Sequence, residues 1–113
     1  MKRDNDYLRT VLFDAEADED WLILVPRTSD GDRKMEHHVD LLCDAGLFRH
    51  INEHGYRLTS NGHDFLDAIR DDTNWNKVKT VAANAGGVGL GLMCDIALGL
   101  IRQKAVELGL TFI

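Results

Sequence analysis

Five histidines, two cysteines, a glycine cluster and a group of aspartates are the residues of this chain whose types invite a chemical reading. Zinc needs three or four converging ligands at recognisable spacing. His37, His38 and Cys43 fall on one stretch, His50 and His54 straddle a turn, His63 stands apart, and the second cysteine, Cys94, is far along the chain. There is no Cys-x-x-Cys pair, and His38 shares an apolar stripe with Leu41, Leu42 and Ala45. His38 is therefore expected to be a half-buried structural histidine, and neither a metal nor a cofactor is expected. Gly86, Gly87, Gly89 and Gly91 form GGxGxG. A dinucleotide loop needs a strand before it, and a phosphate loop ends in Lys-Ser/Thr; neither condition is met, so a hinge between helices is expected. Asp64, Asp67 and Asp71 fall on the polar side of a helix that carries Phe65 and Ile69, beside Asp72 and His63. That is the pattern of a solvated face. No nucleophile, base and orienting group can be named, and no enzyme is expected.

Those residues sit on elements that the hydrophobic pattern outlines. The chain has 113 residues, 44% hydrophobic and 28% charged, with a single proline, which suits one globular domain able to bury a core without staples. Two cysteines fit a reducing cytoplasm better than a secreted disulfide scaffold. The opening MKRDNDYLRT lacks an apolar stretch after its basic residues, so no signal peptide is expected. Tyr7, Leu8, Val11, Leu12 and Ala15 predict an amphipathic helix that ends in an acidic run, Asp14 to Asp20. Trp21 to Val25, closed by Pro26, reads as a short buried strand, and Thr28 to Asp32 as a loop. Asp32 is placed to cap a second helix that runs to about Ala45 and stops at Gly46, with Leu47 and Phe48 packing back.

Phe48–Ile51 and Tyr56–Leu58 predict a hairpin around Asn52-Glu53-His54-Gly55. Thr59 or Ser60 caps a third helix, and a fourth, carrying Trp75, Val78, Ala82 and Ala85, is capped by Asp72 or Thr73. Gly86-Gly87 stops it, and a last helix spans Leu90 to Leu108. Only Asp95 is charged between Thr80 and Ile101. A membrane span there would bury Asp95 at a cost of about 2.5–3.5 kcal/mol, so a helix buried on a wide face is expected instead, and no membrane association.

The order helix, strand, helix, hairpin, helix is that of a winged helix-turn-helix without its middle helix. Val39 to Leu47 resembles the end of a recognition helix in winged-helix regulators, and Tyr56 to Gly62 resembles a second wing strand followed by the next helix cap. A closer resemblance covers nearly the whole chain. Met1-Lys2-Arg3-Asp4, His38-xx-Leu41-Leu42-xx-Ala45-Gly46-Leu47, and the block Arg57-Leu58-Thr59-xx-Gly62-His63-xx-Leu66-Asp67-Ala68-Ile69-Arg70-Asp71-Asp72-xx-Trp75-Asn76-Lys77 together resemble the family called domain of unknown function 2513. The resemblance implies a winged-helix-like fold and a phage or prophage setting, and it brings no activity with it. The glycine-rich stretch from Gly86 to Gly91 departs from the family pattern.

The expected fold is thus α+β, a winged helix-turn-helix-like core over residues 1–72 with a two-helix C-terminal extension over 73–113. Two functional readings stay open. In the first, a non-enzymatic regulator binds double-stranded DNA with Arg33, Lys34 and His37 on the second helix and Arg49 and Arg57 on the wing. In the second, the chain is an acidic module that inhibits a host protein, using Asp14, Glu16, Asp18, Glu19 and Asp20 together with Glu36, Asp40 and Asp44, which follow one another at turn spacing. The net charge of −6 has no overall pull on phosphate, which weighs against the first. A homodimer is expected through the last helix. Leu92, Met93, Ile96, Leu98, Leu100 and Ile101 are its candidate interface, because Leu92 and Leu98 lie outside the main apolar stripe.

Overall fold

A computed structural model describes residues 2–18, 23–24, 33–87 and 89–109. It is mixed α+β, and its contacts separate into two compact units, Met1–Leu66 and Asp67–Ile113. The division falls inside the third helix, a few residues before the 72/73 boundary drawn from sequence.

In the first unit, α1 (Asn5–Ala17) begins at Asp4, whose extended backbone lets its carboxylate accept from the Tyr7 N–H at 3.1 Å. Leu8, Val11, Leu12 and Ala15 recur at helical spacing and are all buried. They face α2 (Arg33–Asp44), which buries His38, Val39 and Leu42. Gly46 ends α2 with φ at 76°, so that the Gly46 N–H reaches the Cys43 carbonyl at 3.0 Å and the Leu47 N–H reaches Leu42 at 2.9 Å. That left-handed glycine cap matches the expectation, and Leu47 and Phe48 are buried behind it. The proposed cap Asp32, the loop from Thr28, Pro26, Glu19, Asp20 and most of the predicted strand Trp21–Val25 lie outside the described residues.

Three short strands form one antiparallel sheet: β1 (Ile23–Leu24), β2 (Phe48–His50) and β3 (Gly55–Leu58), in the order β1-β3-β2. The hairpin register pairs Phe48 with Leu58, Arg49 with Arg57 and His50 with Tyr56. Phe48, Tyr56, Leu58 and Ile23 are buried, while Arg49, Arg57 and Leu24 are exposed, as the alternation of a half-buried sheet requires. Asn52 closes the turn by accepting from the N–H groups of His54 and Gly55 at 3.1 and 2.7 Å.

Helix α3 (Ser60–Ile69) is capped by Thr59. The Thr59 hydroxyl accepts from the Gly62 N–H at 3.0 Å and donates to the Gly46 carbonyl at 2.6 Å, which joins the start of α3 to the end of α2. The helix comes so close that a Cβ on Gly62 would overlap the Leu47 carbonyl oxygen.

In the second unit, α4 (Asp72–Asn84) packs on α5 (Leu90–Glu107). The α4 cap is Asp71, not Asp72 or Thr73. Its carboxylate takes the Thr73 and Asn74 N–H groups at 2.6 and 3.3 Å, and because α3 ends at Ile69, Asp71 does not lie on the polar side of that helix. Trp75, Val78 and Ala82 of α4 and Leu90, Met93 and Ala97 of α5 are buried. Gly86, at φ 82°, stops α4 as expected. Among the described residues no helix is long and apolar enough to cross a membrane.

Gly62→Ala is expected to lower stability by about 1–3 kcal/mol, the usual cost of forced overpacking, because the obstructing atom is backbone and cannot swing aside. Urea unfolding followed by circular dichroism measures it.

Candidate functional site

The residues assigned to DNA contact fall on α2 and on the hairpin, both in the first unit. On α2, the Lys34 ammonium lies 3.1 Å from the Asp4 carboxylate and 4.5 Å from the centre of the Tyr7 ring. It is committed to holding α1. Arg33 lies beside Glu36, His37 and Asp40 around a shallow depression of about 310 Å³. Asp40 and Asp44 are exposed and Glu36 is half-buried, one helical turn apart from each other, so the acidic row read from sequence does run along the outer side of α2.

The hairpin brings the other two cations together. Arg49 and Arg57 are direct cross-strand partners and both are exposed. Residues opposed in this way have Cβ atoms about 4.5–5.5 Å apart, and like charges there repel. The Arg57 guanidinium donates to the Leu58 carbonyl at 3.1 Å, and neither arginine is ion-paired among the described residues. The only carboxylate on the hairpin, Glu53, lies at the turn, 3.9 Å from His54.

His38 is fully buried, not half-buried. Its Nε2 accepts from the Asp4 N–H at 2.8 Å, and its Nδ1 donates to the Lys34 carbonyl at 2.7 Å. Backbone groups satisfy the whole ring, which is why complete burial is tolerated. Tyr7 meets its edge at 4.9 Å between ring centres. Sequence reading missed this cluster of Asp4, Tyr7, Lys34 and His38. Its one legible signal was an aspartate three residues before the first aromatic of a helix, the position of an N-cap.

The remaining candidates are scattered. Asp14 and Asp18 are exposed and Glu16 is half-buried. On α5, Leu92 and Leu98 are 51% and 37% exposed, Ile96 and Leu100 are half-buried, and Met93 is packed inside the chain. Asp67 pairs with Arg70 at 2.9 Å, and Asp64 is exposed. No group of three metal-ligating side chains converges among the described residues. Burial, with help from Asp95, pushes the Cys94 thiol up to about 11, which leaves it a poor nucleophile at neutral pH.

Comparison with known proteins places the chain. Residues 2–88 match the family described as "Hypothetical protein (DUF2513)". The chain belongs to this family. A relative described as an "Uncharacterized protein" of Haemophilus influenzae (strain ATCC 51907 / DSM 11121 / KW20 / Rd) is 31% identical over 116 residues, covering 93% of this chain and 92% of the relative. The DUF2513 match takes in the α1–α2 cluster, the hairpin and α4, and stops at residue 88, inside the glycine-rich stretch. No solved structure matches.

Two of the caps in this DUF2513 chain carry a pH dependence. The hydrogen bond from the Tyr7 N–H, and then Lys34, hold the Asp4 carboxyl below its ordinary value of 3.8. The N–H groups of Thr73 and Asn74, with Lys104 nearby, do the same for Asp71. A carboxylate whose value is depressed by folding stabilises the fold above its unfolded value, and that stabilisation is lost as pH falls through the lower folded one. Melting temperature is therefore expected to fall as pH drops below about 3.8, and Asp4→Asn with Asp71→Asn should flatten that fall while lowering stability at neutral pH. Thermal melts between pH 6 and 2 check both.

Proposed function

We propose that the chain is a non-enzymatic, winged-helix-type protein that binds double-stranded DNA, a cytoplasmic regulator in the phage or prophage setting that its family resemblance implies. The arrangement supporting the wing is the sheet order β1-β3-β2, with α2 preceding the hairpin. The observation that carries the reading is the exposed Arg49–Arg57 pair. Two guanidinium groups set side by side are unfavourable until an anion lies between them, and a phosphate oxygen pair matches their fork geometry.

If the wing grips phosphate, Arg49→Ala with Arg57→Ala weakens binding about equally on all sequences. Losing two contacts also reduces the salt dependence, the slope of log K on log salt, by about 1.8. Electrophoretic shifts across a salt series read this, and shifts unchanged by the double substitution remove the wing from the proposal.

The acidic row Glu36, Asp40 and Asp44 favours a second reading, in which α2 meets the basic surface of a host protein in place of DNA. That reading requires that no duplex be bound at any salt concentration.

The proposal includes a partner copy. Leu92 and Leu98 remain 51% and 37% exposed on α5, turned away from the buried row Leu90, Met93 and Ala97. A two-fold contact through that side covers them. Light scattering on a size-exclusion column is expected to give twice the 12.7 kDa of one chain, and Leu98→Glu to return it to one. A single-chain mass for the parent protein at micromolar concentration rejects the dimer.

A further inference from the structure

A helix that reads bases must enter a groove walled by phosphates, and α2 carries the wrong charge for that. Glu36, Asp40 and Asp44 follow one another at four-residue intervals, about 6 Å apart along the helix. Its lysine and arginine are confined to the first two positions: Lys34 is held by Asp4 and Tyr7, and Arg33 lies beside Glu36 and Asp40. A row of carboxylates moving between two phosphate strands meets repulsion, and Arg33 at one end offsets only part of it. One carboxylate can accept from cytosine, but three in line have no matching donors in an ordinary sequence. The basic pair on the hairpin has neither problem, since Glu53, the nearest carboxylate on the hairpin, is at the turn beside His54.

The aromatic residues decide between single and double strands. Proteins that hold single strands stack successive bases on exposed rings. Among the described residues no phenylalanine, tyrosine or tryptophan is exposed, and Tyr56, the aromatic of β3, is turned inward with His50 stacked on it at 4.7 Å. The outer side of the sheet offers arginine and leucine, and no aromatic ring.

Building on the wing reading above, we infer that the ligand class is duplex DNA held by its phosphates alone. Arg49 and Arg57 supply the contacts, and α2 is kept out of the groove by its own charge. Binding is then independent of sequence, and the acidic row sets how weakly the duplex is held.

Fluorescence anisotropy of the full chain tests this with labelled duplexes of unrelated sequence and differing GC content, a single strand of equal length, and a duplex RNA. All DNA duplexes are expected to bind within about twofold of each other. Two phosphate contacts make affinity fall about tenfold between 50 and 200 mM salt. The single strand should bind more weakly and the RNA duplex no more tightly than DNA, and Glu36→Gln with Asp40→Asn should tighten every DNA duplex alike. A duplex bound a hundredfold above the rest, with the preference lost in that variant, overturns the inference by showing that α2 reads bases, while the wing reading stands. Tighter binding of the single strand or of RNA overturns the ligand class. Failure of every nucleic acid to bind overturns the wing reading and this inference together.

Discussion

One buried imidazole fixes the first unit. His38 has no exposed surface, and its two ring nitrogens are used in opposite senses, accepting from the Asp4 N–H and donating to the Lys34 carbonyl. A carbonyl can only accept and an amide N–H can only donate, so the ring is the neutral tautomer with its hydrogen on Nδ1. This single side chain ties the cap of α1 to the first turn of α2. Asp4 then does three things from one position: its N–H holds His38, one carboxylate oxygen caps α1 at Tyr7, and the other pairs with Lys34. The exposed ion pair adds little by itself. The buried ring matters more, because misplacing it would strand polar groups in the core.

The same cluster engages one cation of the candidate DNA surface. From sequence, Lys34 counts as one of five candidate DNA contacts on α2 and the wing. In the structure its charge is directed at Asp4 and the Tyr7 ring, which leaves α2 with Arg33 as its outward-facing cation against Glu36, Asp40 and Asp44. Local pairing, and not the net charge of −6, therefore shifts the positive character of this unit to the hairpin.

Where the sequence was legible, side-chain spacing alone decided the outcome. The stripe Leu8, Val11, Leu12, Ala15 and the glycine stop at Gly46 follow from periodicity and from the need for positive φ. The opposition of Arg49 and Arg57 was also within reach, since apolar Phe48 and Leu58 on the inner side force their neighbours into one outward pair. What could not be read was decided by backbone groups, which leave no mark in the sequence. The depth of His38 depends on an amide and a carbonyl separated by thirty residues of chain, about ten times the reach of a helical repeat. The choice of Asp71 over Asp72 or Thr73 was a choice among three adjacent capping residues, settled by which one has extended φ and ψ. The family blocks ran from the first residues to Lys77, and their shared content includes Gly62, whose close approach to Leu47 explains a glycine there.

A like-charged pair on a three-stranded sheet needs an account of why the sheet tolerates it. Opposed like charges cost on the order of 0.2–1 kcal/mol. On the other side of the same strands Phe48, Tyr56 and Leu58 are buried, joined by Ile23 of β1. Each large side chain taken out of water contributes about 1.5–3 kcal/mol, so the inner face outweighs the repulsion several-fold even before the cap at Thr59 is counted. The hairpin's position is thus determined from within, and its outer face is free to carry charges chosen for something other than stability. Arg49 and Arg57 meet that description, and the Leu58 carbonyl that receives the Arg57 guanidinium keeps one of them aimed along the strand.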